Sequence, residues 1–265
     1  MSLSPLLSRY QNVILDLDGT VWLGDSATPG APEAIAAIRA AGKGLMFITN
    51  DGLKSPEEYV RKLWSLGCTA SPSEVVSVGA ALQYVLAGRP AGRGAYVIGS
   101  EAIFQHVADS GHRILNHSED AHQADVVVVV AHEDFAYPEL RTAIRAVANG
   151  AEIYSGGRDR NYPTPSGIAP GTGSVLAAVE YATQRTAYSV GKPNPQVFEV
   201  ALDRLGPGDT LVIGDNLASD LAGAAAAGLD AAVVLTGSAT RAAAEAAENP
   251  TPVAIAEDLA SLVMS

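Results

Sequence analysis

Short apolar runs alternate with amphipathic stretches along this chain. Val13-Ile14-Leu15 leads into Asp16, Leu45-Met46-Phe47-Ile48 into Thr49, and Tyr188-Ser189-Val190 into Gly191-Lys192. Leu211-Val212-Ile213 leads into Gly214-Asp215, and Ala232-Val233-Val234-Leu235 into Thr236-Gly237. Continuous apolar runs of this length predict strands buried on both faces, as in parallel sheets. Helices are predicted between them. One runs from Pro32 to Ala41, with a proline suited to a first turn and a stop at Gly42. A second opens at Ser55-Pro56-Glu57-Glu58, an N-cap followed by acids at the positive end of the helix dipole, and ends before Gly67. A third starts at Asn194-Pro195 and places Val197, Phe198, Ala201 and Leu205 on one face; a fourth spans Ser219 to Ala227. The alternation predicts an α/β fold with a doubly wound parallel sheet.

A middle segment repeats the α/β pattern with strands at Tyr96-Val97-Ile98, Val126 to Ala131 and Ile153-Tyr154, entered through the loop Ala87 to Gly94. The expected organisation is a discontinuous core, residues 1–79 and 185–265, with a smaller α/β domain, residues 80–184, inserted into it. A length of 265 residues suits two modest domains.

Composition narrows the partners. The 29 acidic residues outnumber the 17 basic ones, and the net charge of −12 argues against nucleic acid polymers and anionic membranes. The acid excess is concentrated in the last segment. Cys68 is the single cysteine, which excludes an intramolecular disulfide and fits a reducing compartment. The first nine residues carry no basic, apolar leader, and no apolar run is long enough to span a bilayer. A cytoplasmic protein is expected.

The candidate chemistry is positional. Asp16, Thr49, Lys192 and Asp215 each fall at or just after the end of a predicted strand. Open α/β sheets bind ligands outside those ends. In Asp16-Leu17-Asp18-Gly19-Thr20, carboxylates two residues apart point to the same side of an extended segment. They could divide the roles of nucleophile and general acid/base. An EF-hand loop does not fit, since Val21 and Ala27 stand where it needs Gly and Glu. A solvated turn leaves the apolar strand before Asp16 unexplained. Asp215 and Asp220 add two more acids after another strand. So much negative charge calls for a cation, and oxygen donors suit Mg2+. Asp220 has an alternative role as the cap of the following helix. Lys192 belongs to a type that is usually solvated, but here it sits between Gly191 and Pro193 at a strand end. Thr49 and Asn50 offer a hydroxyl and backbone N–H groups before a helix, an arrangement suited to phosphate.

Asp16-Leu17-Asp18-Gly19-Thr20, Thr49-Asn50, Lys192-Pro193 and Gly214-Asp215 with Asp220 occur in this order. Together they resemble the four signature motifs of the haloacid dehalogenase (HAD) superfamily. Asp18 resembles the phosphatases of that superfamily. An insertion between the second and third motifs resembles the branch with a large α/β cap, the NagD and p-nitrophenyl-phosphatase-like enzymes. Val21-Trp22-Leu23-Gly24, Tyr162-Pro163-Thr164-Pro165-x-Gly167 and Pro170-Gly171-x-Gly173-Ser174 are similar to the same branch. The resemblance implies a Mg2+-dependent phosphatase of small phosphomonoesters (sugar, polyol, glycolate, nucleotide or aryl phosphates) working through an aspartyl-phosphate. Asp16 would be the nucleophile. Asp18 would protonate the leaving alkoxide and then deprotonate water, while Thr49 and Lys192 hold the phosphoryl oxygens. The metal would be held by Asp16, the Asp18 carbonyl and Asp215, with Asp220 in support. A homodimer formed through the cap is one oligomeric state the resemblance allows.

The pattern also departs from the branch. Asp51 and Gly52 stand where Asn and Ser are usual, at positions that face the phosphate or its leaving group. An extra carboxylate there would disfavour anionic leaving groups and favour hydroxyls or an amine. In the cap loop, Gly157-Arg158-Asp159 keeps the acid of an Asn-x-Asp and loses the amide. Asp159 and Tyr162 are candidate substrate contacts; Tyr162, like Arg158 and Arg160, has the alternative of a solvated loop residue. All five histidines lie between His106 and His132, in spacings that match neither a zinc finger nor an H-E-x-x-H helix. His112, His117 and His122 read as solvated or loop residues. The 170–174 stretch is no Walker loop and reads as a turn capping a helix from Ser174; Cys68 reads as a small core residue. Two other classes compete. A receiver-like phospho-acceptor module leaves Asp18 and the insertion unexplained. A catalytically idle family member that binds a phospho-ligand is favoured only by Asp51 and Gly52.

Overall fold

Val13, Ile14 and Leu15 have no polar face to offer solvent, and the strand they form, Asn12–Asp16, is buried throughout. In the computed structural model, which describes residues 3–164 and 167–265, this strand lies inside a six-stranded sheet. The order is Ala254–Ala256, Asp230–Val234, Thr210–Gly214, Asn12–Asp16, Gly44–Thr49, Val75–Ser77. Asn12–Asp16 runs parallel to both neighbours, and the ladder continues parallel through Asp230–Val234 to the edge. The chain thus winds outward in both directions from its first strand, as the alternation predicted. Asp16, Thr49 and Gly214 accordingly end up side by side at one edge of the sheet.

The chain divides into two compact units. One holds the described residues up to Thr49 with Pro56–Val76 and Lys192–Ser265; the other holds Asn50–Ser55 and Ser77–Gly191. In the first, the helices Ala31–Ala40 and Pro56–Ser65 turn Ile35, Ile38, Tyr59, Val60 and Leu63 onto a core built on Leu15, Phe47 and Ile213. Cys68 lies in that core, and burial pushes its thiol up to about 11. The second unit has its own parallel sheet, in the order Tyr188–Ser189, Glu152–Ser155, Val126–Val129, Gly94–Ile98, Arg113–Ile114. An antiparallel hairpin, Asn161–Thr164 with Gly167–Pro170, follows the Glu152–Ser155 strand. Pro165 of the motif quoted above lies outside the described residues. Among the described residues, no helix is long and apolar enough to cross a membrane.

Three local readings differ from expectation. The strand before Lys192 pairs Tyr188 and Ser189 with Tyr154 and Ser155, so it belongs to the second unit's sheet. Its apolar run carries no mark of which sheet it joins. The helix expected from Ser219 begins earlier, as a single π turn, Leu217–Leu221, followed by Ala222–Ala226. Asn216 caps it, its side-chain oxygen accepting the N–H groups of Ala218 and Ser219 at 2.9 and 3.1 Å. The cap role considered for Asp220 is therefore taken by another residue. Finally, His112 is buried rather than solvated. Its Nδ1 lies 3.0 Å from Ser110 Oγ, which itself donates to the Val107 carbonyl at 2.6 Å. The proton on that hydroxyl is committed, so His112 Nδ1–H must be the donor, and Nε2 is buried with no partner among the described residues.

Burial, reinforced by the charge of Arg93, holds the His112 ring below the ordinary histidine value against the pull of Ser110 and Asp125. A depressed folded value means the unfolded chain takes up the proton first. The stability this residue contributes is complete above about pH 6.5 and declines as pH falls from there toward the lowered folded value. Between about pH 8 and about pH 5.5 the native protein should lose more Tm than His112→Gln. Parallel Tm–pH curves for the two proteins would show that the ring does not titrate against the fold.

Candidate active site

Three adjacent strands deliver the polar groups of the first unit. Asp16 ends Asn12–Asp16, Thr49 ends Gly44–Thr49, and Asp215 follows Gly214. Lys192, the first residue of the chain's return into this unit, and Asp220, inside the π turn, complete the set. All five side chains are buried. Lys192 Nζ donates to Asp16 Oδ1 and, at 2.8 Å, to Asp220 Oδ1. One carboxylate oxygen from each of Asp16, Asp215 and Asp220 lies within 4.8 Å of the others.

Backbone groups fix these acids. Asp220 Oδ2 accepts the Asn216 N–H at 3.0 Å. Asp215 Oδ2 accepts the Ser238 N–H at 2.6 Å, and its carbonyl accepts Ser238 Oγ at 3.1 Å. The chain also closes onto Asp215 where a side chain would not fit. Gly19 has φ of +90°, and a Cβ there would stand 2.5 Å from Asp215 Cγ; at Gly237 it would stand 2.0 Å from Asp215 Oδ2.

The electrostatics follow from burial. Desolvation raises the Asp16 carboxyl well above its ordinary value; the Asp220 charge adds to this and Lys192 opposes it. Asp215 is raised by burial and by Asp220, with the Ser238 N–H pulling the other way. Burial alone would depress the Lys192 ammonium, but Asp16 and Asp220 outweigh it and hold the proton more firmly than on an ordinary lysine. Three carboxylates around one ammonium leave two negative charges uncompensated when all are ionised. The donor set is hard oxygen, and the charge deficit matches a divalent cation. Asp16, Asp215 and Asp220 fit that role. Histidine does not: no such cluster among the described residues contains one.

Asp18 stands apart from this cluster, exposed, with Oδ1 accepting the Trp22 indole N–H at 2.7 Å. The contributions of Trp22, Asn216 and Ser238 were not anticipated. Asn216 had a readable signal, an amide residue directly before a helix; Ser238 acts through its backbone N–H, which no residue type announces.

The second unit holds the remaining candidates. Asn50 Nδ2 donates to Asp159 Oδ2 at 3.3 Å. Asp51 accepts the Leu53 N–H at 2.8 Å and lies 3.4 Å from Lys54 Nζ, so its charge has a local counter-ion. Gly52 is buried, and a Cβ there would come within 2.8 Å of Val130 and 3.0 Å of Val78. Packing therefore accounts for the glycine in place of serine. Arg158 is committed to a two-point ion pair with Glu180 at 2.7 and 3.1 Å, and Glu180 also accepts the Ala187 N–H at 2.8 Å. The Arg160 carbonyl accepts Ser174 Oγ at 2.6 Å, and the Thr172–Thr183 helix starts two residues before the expected Ser174. Tyr162 is half-buried in the hairpin opposite Ala169.

Known proteins resemble this chain over most of its length. The sequence model of the haloacid dehalogenase-like hydrolases matches residues 13–113, and that of the HAD-hydrolase-like group matches residues 189–262. The chain is 34% identical over 88% of its length to D-glycerol 3-phosphate phosphatase of Mycobacterium tuberculosis, of which it spans 65%. It is 30% identical to the 5'-nucleotidase YutF of Bacillus subtilis, over 87% of this chain and 89% of that one. The crystal structure of the Mycobacterium tuberculosis glycerol phosphate phosphatase with calcium superimposes with a TM-score of 0.91 at 33% identity, over 97% of this chain and 76% of that one. Its magnesium complex gives 0.89 at 35% identity, over 96% and 77%. The chain belongs to the haloacid dehalogenase-like hydrolase family. Within it, the chain stands with the phosphatases of the NagD-like branch.

The closure of the chain on Asp215 is testable. Gly19→Ala should lower stability by about 2–4 kcal/mol in a denaturant midpoint, from left-handed strain plus overpacking. A loss under about 0.5 kcal/mol would mean the loop can retreat from Asp215 freely.

Proposed function

We propose that this chain is a Mg2+-dependent phosphatase of small phosphomonoesters that works through an aspartyl-phosphate on Asp16. The observation that carries the reading is the buried Asp16–Lys192–Asp220 arrangement beside Asp215 at the strand ends. The family membership supports it, and so do relatives named for glycerol phosphate and for nucleotides.

Lys192 and Thr49 receive the phosphoryl oxygens. The Asp16 oxygen not taken by Lys192 attacks phosphorus; the new O–P bond forms as the bond to the leaving oxygen breaks. Asp18 gives its proton to that oxygen. In the second half, Asp18 takes a proton from water, the water oxygen bonds to phosphorus, and the Asp16–phosphorus bond breaks to release phosphate. Asp16, Asp215, Asp220 and the Asp18 carbonyl would hold Mg2+, which would supply the positive charge that lets a carboxylate approach a phosphate dianion. Asn50, Asp51, Gly52, Asp159 and Tyr162 are the residues we assign to recognition of the phosphate and its leaving group. The near pairing of Asp51 with Lys54 moderates the discrimination against anionic leaving groups expected from its charge.

Purified protein should hydrolyse p-nitrophenyl phosphate with Mg2+, stop in EDTA and resume when excess Mg2+ returns. Asp16→Asn should lower kcat/KM by about a thousandfold or more, because no nucleophile remains. Metal-independent turnover, or activity that survives the substitution, contradicts the mechanism. Binding of inorganic phosphate without turnover of any phosphomonoester would favour an idle binding protein.

A further inference from the structure

The loop that carries Asp18 closes on itself. The Leu17 carbonyl accepts the N–H groups of Val21 and Trp22 at 2.8 and 3.1 Å, and the Gly19 N–H returns to the Trp22 carbonyl at 2.7 Å. Trp22 then opens a short hairpin, Trp22–Leu23 with Ser26–Ala27, and Thr28 Oγ1 ties its base to the Thr20 carbonyl at 2.6 Å. Alternation along the strand turns Leu23 outward, 53% exposed, and Trp22 inward, 1% exposed. Buried indole N–H groups need an acceptor. Here the acceptor is Asp18 Oδ1 at 2.7 Å, the one hydrogen bond of the Asp18 side chain among the described residues. Lys62, on the helix Pro56–Ser65, sets its ammonium 4.3 Å above the centroid of the same ring. A cation on the ring face holds the indole in place and polarises its N–H edge toward the carboxylate.

An exposed aspartate is otherwise free to rotate between rotamers. The indole removes that freedom on chemically useful terms. It is a donor only, so it takes one carboxylate oxygen and neither supplies nor accepts the proton in transit. Oδ2 is left to carry it.

We propose that Trp22 is a positioning residue for Asp18, aiming Oδ2 at the leaving oxygen while itself touching neither substrate nor metal. The proposal rests on the reading of Asp18 as general acid/base. Its signature is dependence on the leaving group. An alkoxide departs only with a proton, whereas p-nitrophenolate departs without one. Because kcat/KM reports steps up to leaving-group departure, it isolates the protonation from the later hydrolysis.

The test compares kcat/KM on glycerol phosphate and on p-nitrophenyl phosphate. Trp22→Phe keeps a buried ring and loses the donor. It should lose about tenfold on glycerol phosphate and less than about twofold on p-nitrophenyl phosphate. Equal losses on both substrates, or none on either, overturn the proposal. Should Trp22→Phe fail to fold, site-specific replacement of Trp22 by β-(3-benzothienyl)alanine, which keeps the bicyclic shape without the N–H, gives the same comparison. Asp18→Asn measured alongside separates the two readings. If it too loses equally on both esters, the general-acid role falls and the proposal with it. If it is selective and the Trp22 variants are not, only the proposal falls.

Discussion

A lysine ammonium buried between two buried carboxylates is the constraint on which the first unit depends. None of Lys192, Asp16 and Asp220 could be held ionised in a dry interior alone. Lys192 holds its proton because Asp16 and Asp220 are both within hydrogen-bond reach of its ammonium. That dependence is strict in geometry. It requires Asp16 at the end of one strand, Asp220 turned back by a π turn, and the chain returning to the first unit at Lys192 itself. Glycines stand where the backbone passes Asp215, the third buried acid, because a Cβ at Gly19 or Gly237 would collide with its carboxylate.

The same arrangement is incomplete as it stands. Lys192 answers two of the acids, and Asp215 makes its own hydrogen bond to Ser238 rather than to the lysine. The residual negative charge is a natural seat for a divalent cation. Under the proposed function, a divalent cation and Lys192 together would balance the three carboxylates, so that a phosphate would meet no net negative charge there. Asp18 lies outside the buried cluster, its carboxylate accepting the Trp22 indole N–H.

Much of this was legible from residue order because strand ends are simple to read. An apolar run stopping at Asp16, Thr49 or Asp215 fixes both the element and the edge of the sheet to which it delivers its last residue. What was not legible is tertiary. Tyr188-Ser189-Val190 reads as a buried strand in either sheet, and only the ladder to Tyr154 and Ser155 assigns it. His112 follows a glycine in a polar stretch, yet it is covered by packing that no local pattern announces. Gly52 looked like a change of chemistry and is accounted for by the crowding of Val130 and Val78. Arg158 read equally as a ligand contact or a solvated loop residue, and it is paired with Glu180 twenty-two residues later.

The most direct measurement is the thermal stability of the protein titrated with Mg2+ in the absence of any phosphate. A cation that binds only the folded site adds stability in proportion to the logarithm of its concentration. Tm should therefore climb with Mg2+ in the native protein, and the climb should be largely lost in Asp215→Asn, which removes a charge without touching Lys192. A Tm indifferent to Mg2+, or one that rises equally in the variant, would contradict the claim that these buried carboxylates are organised around a divalent ion.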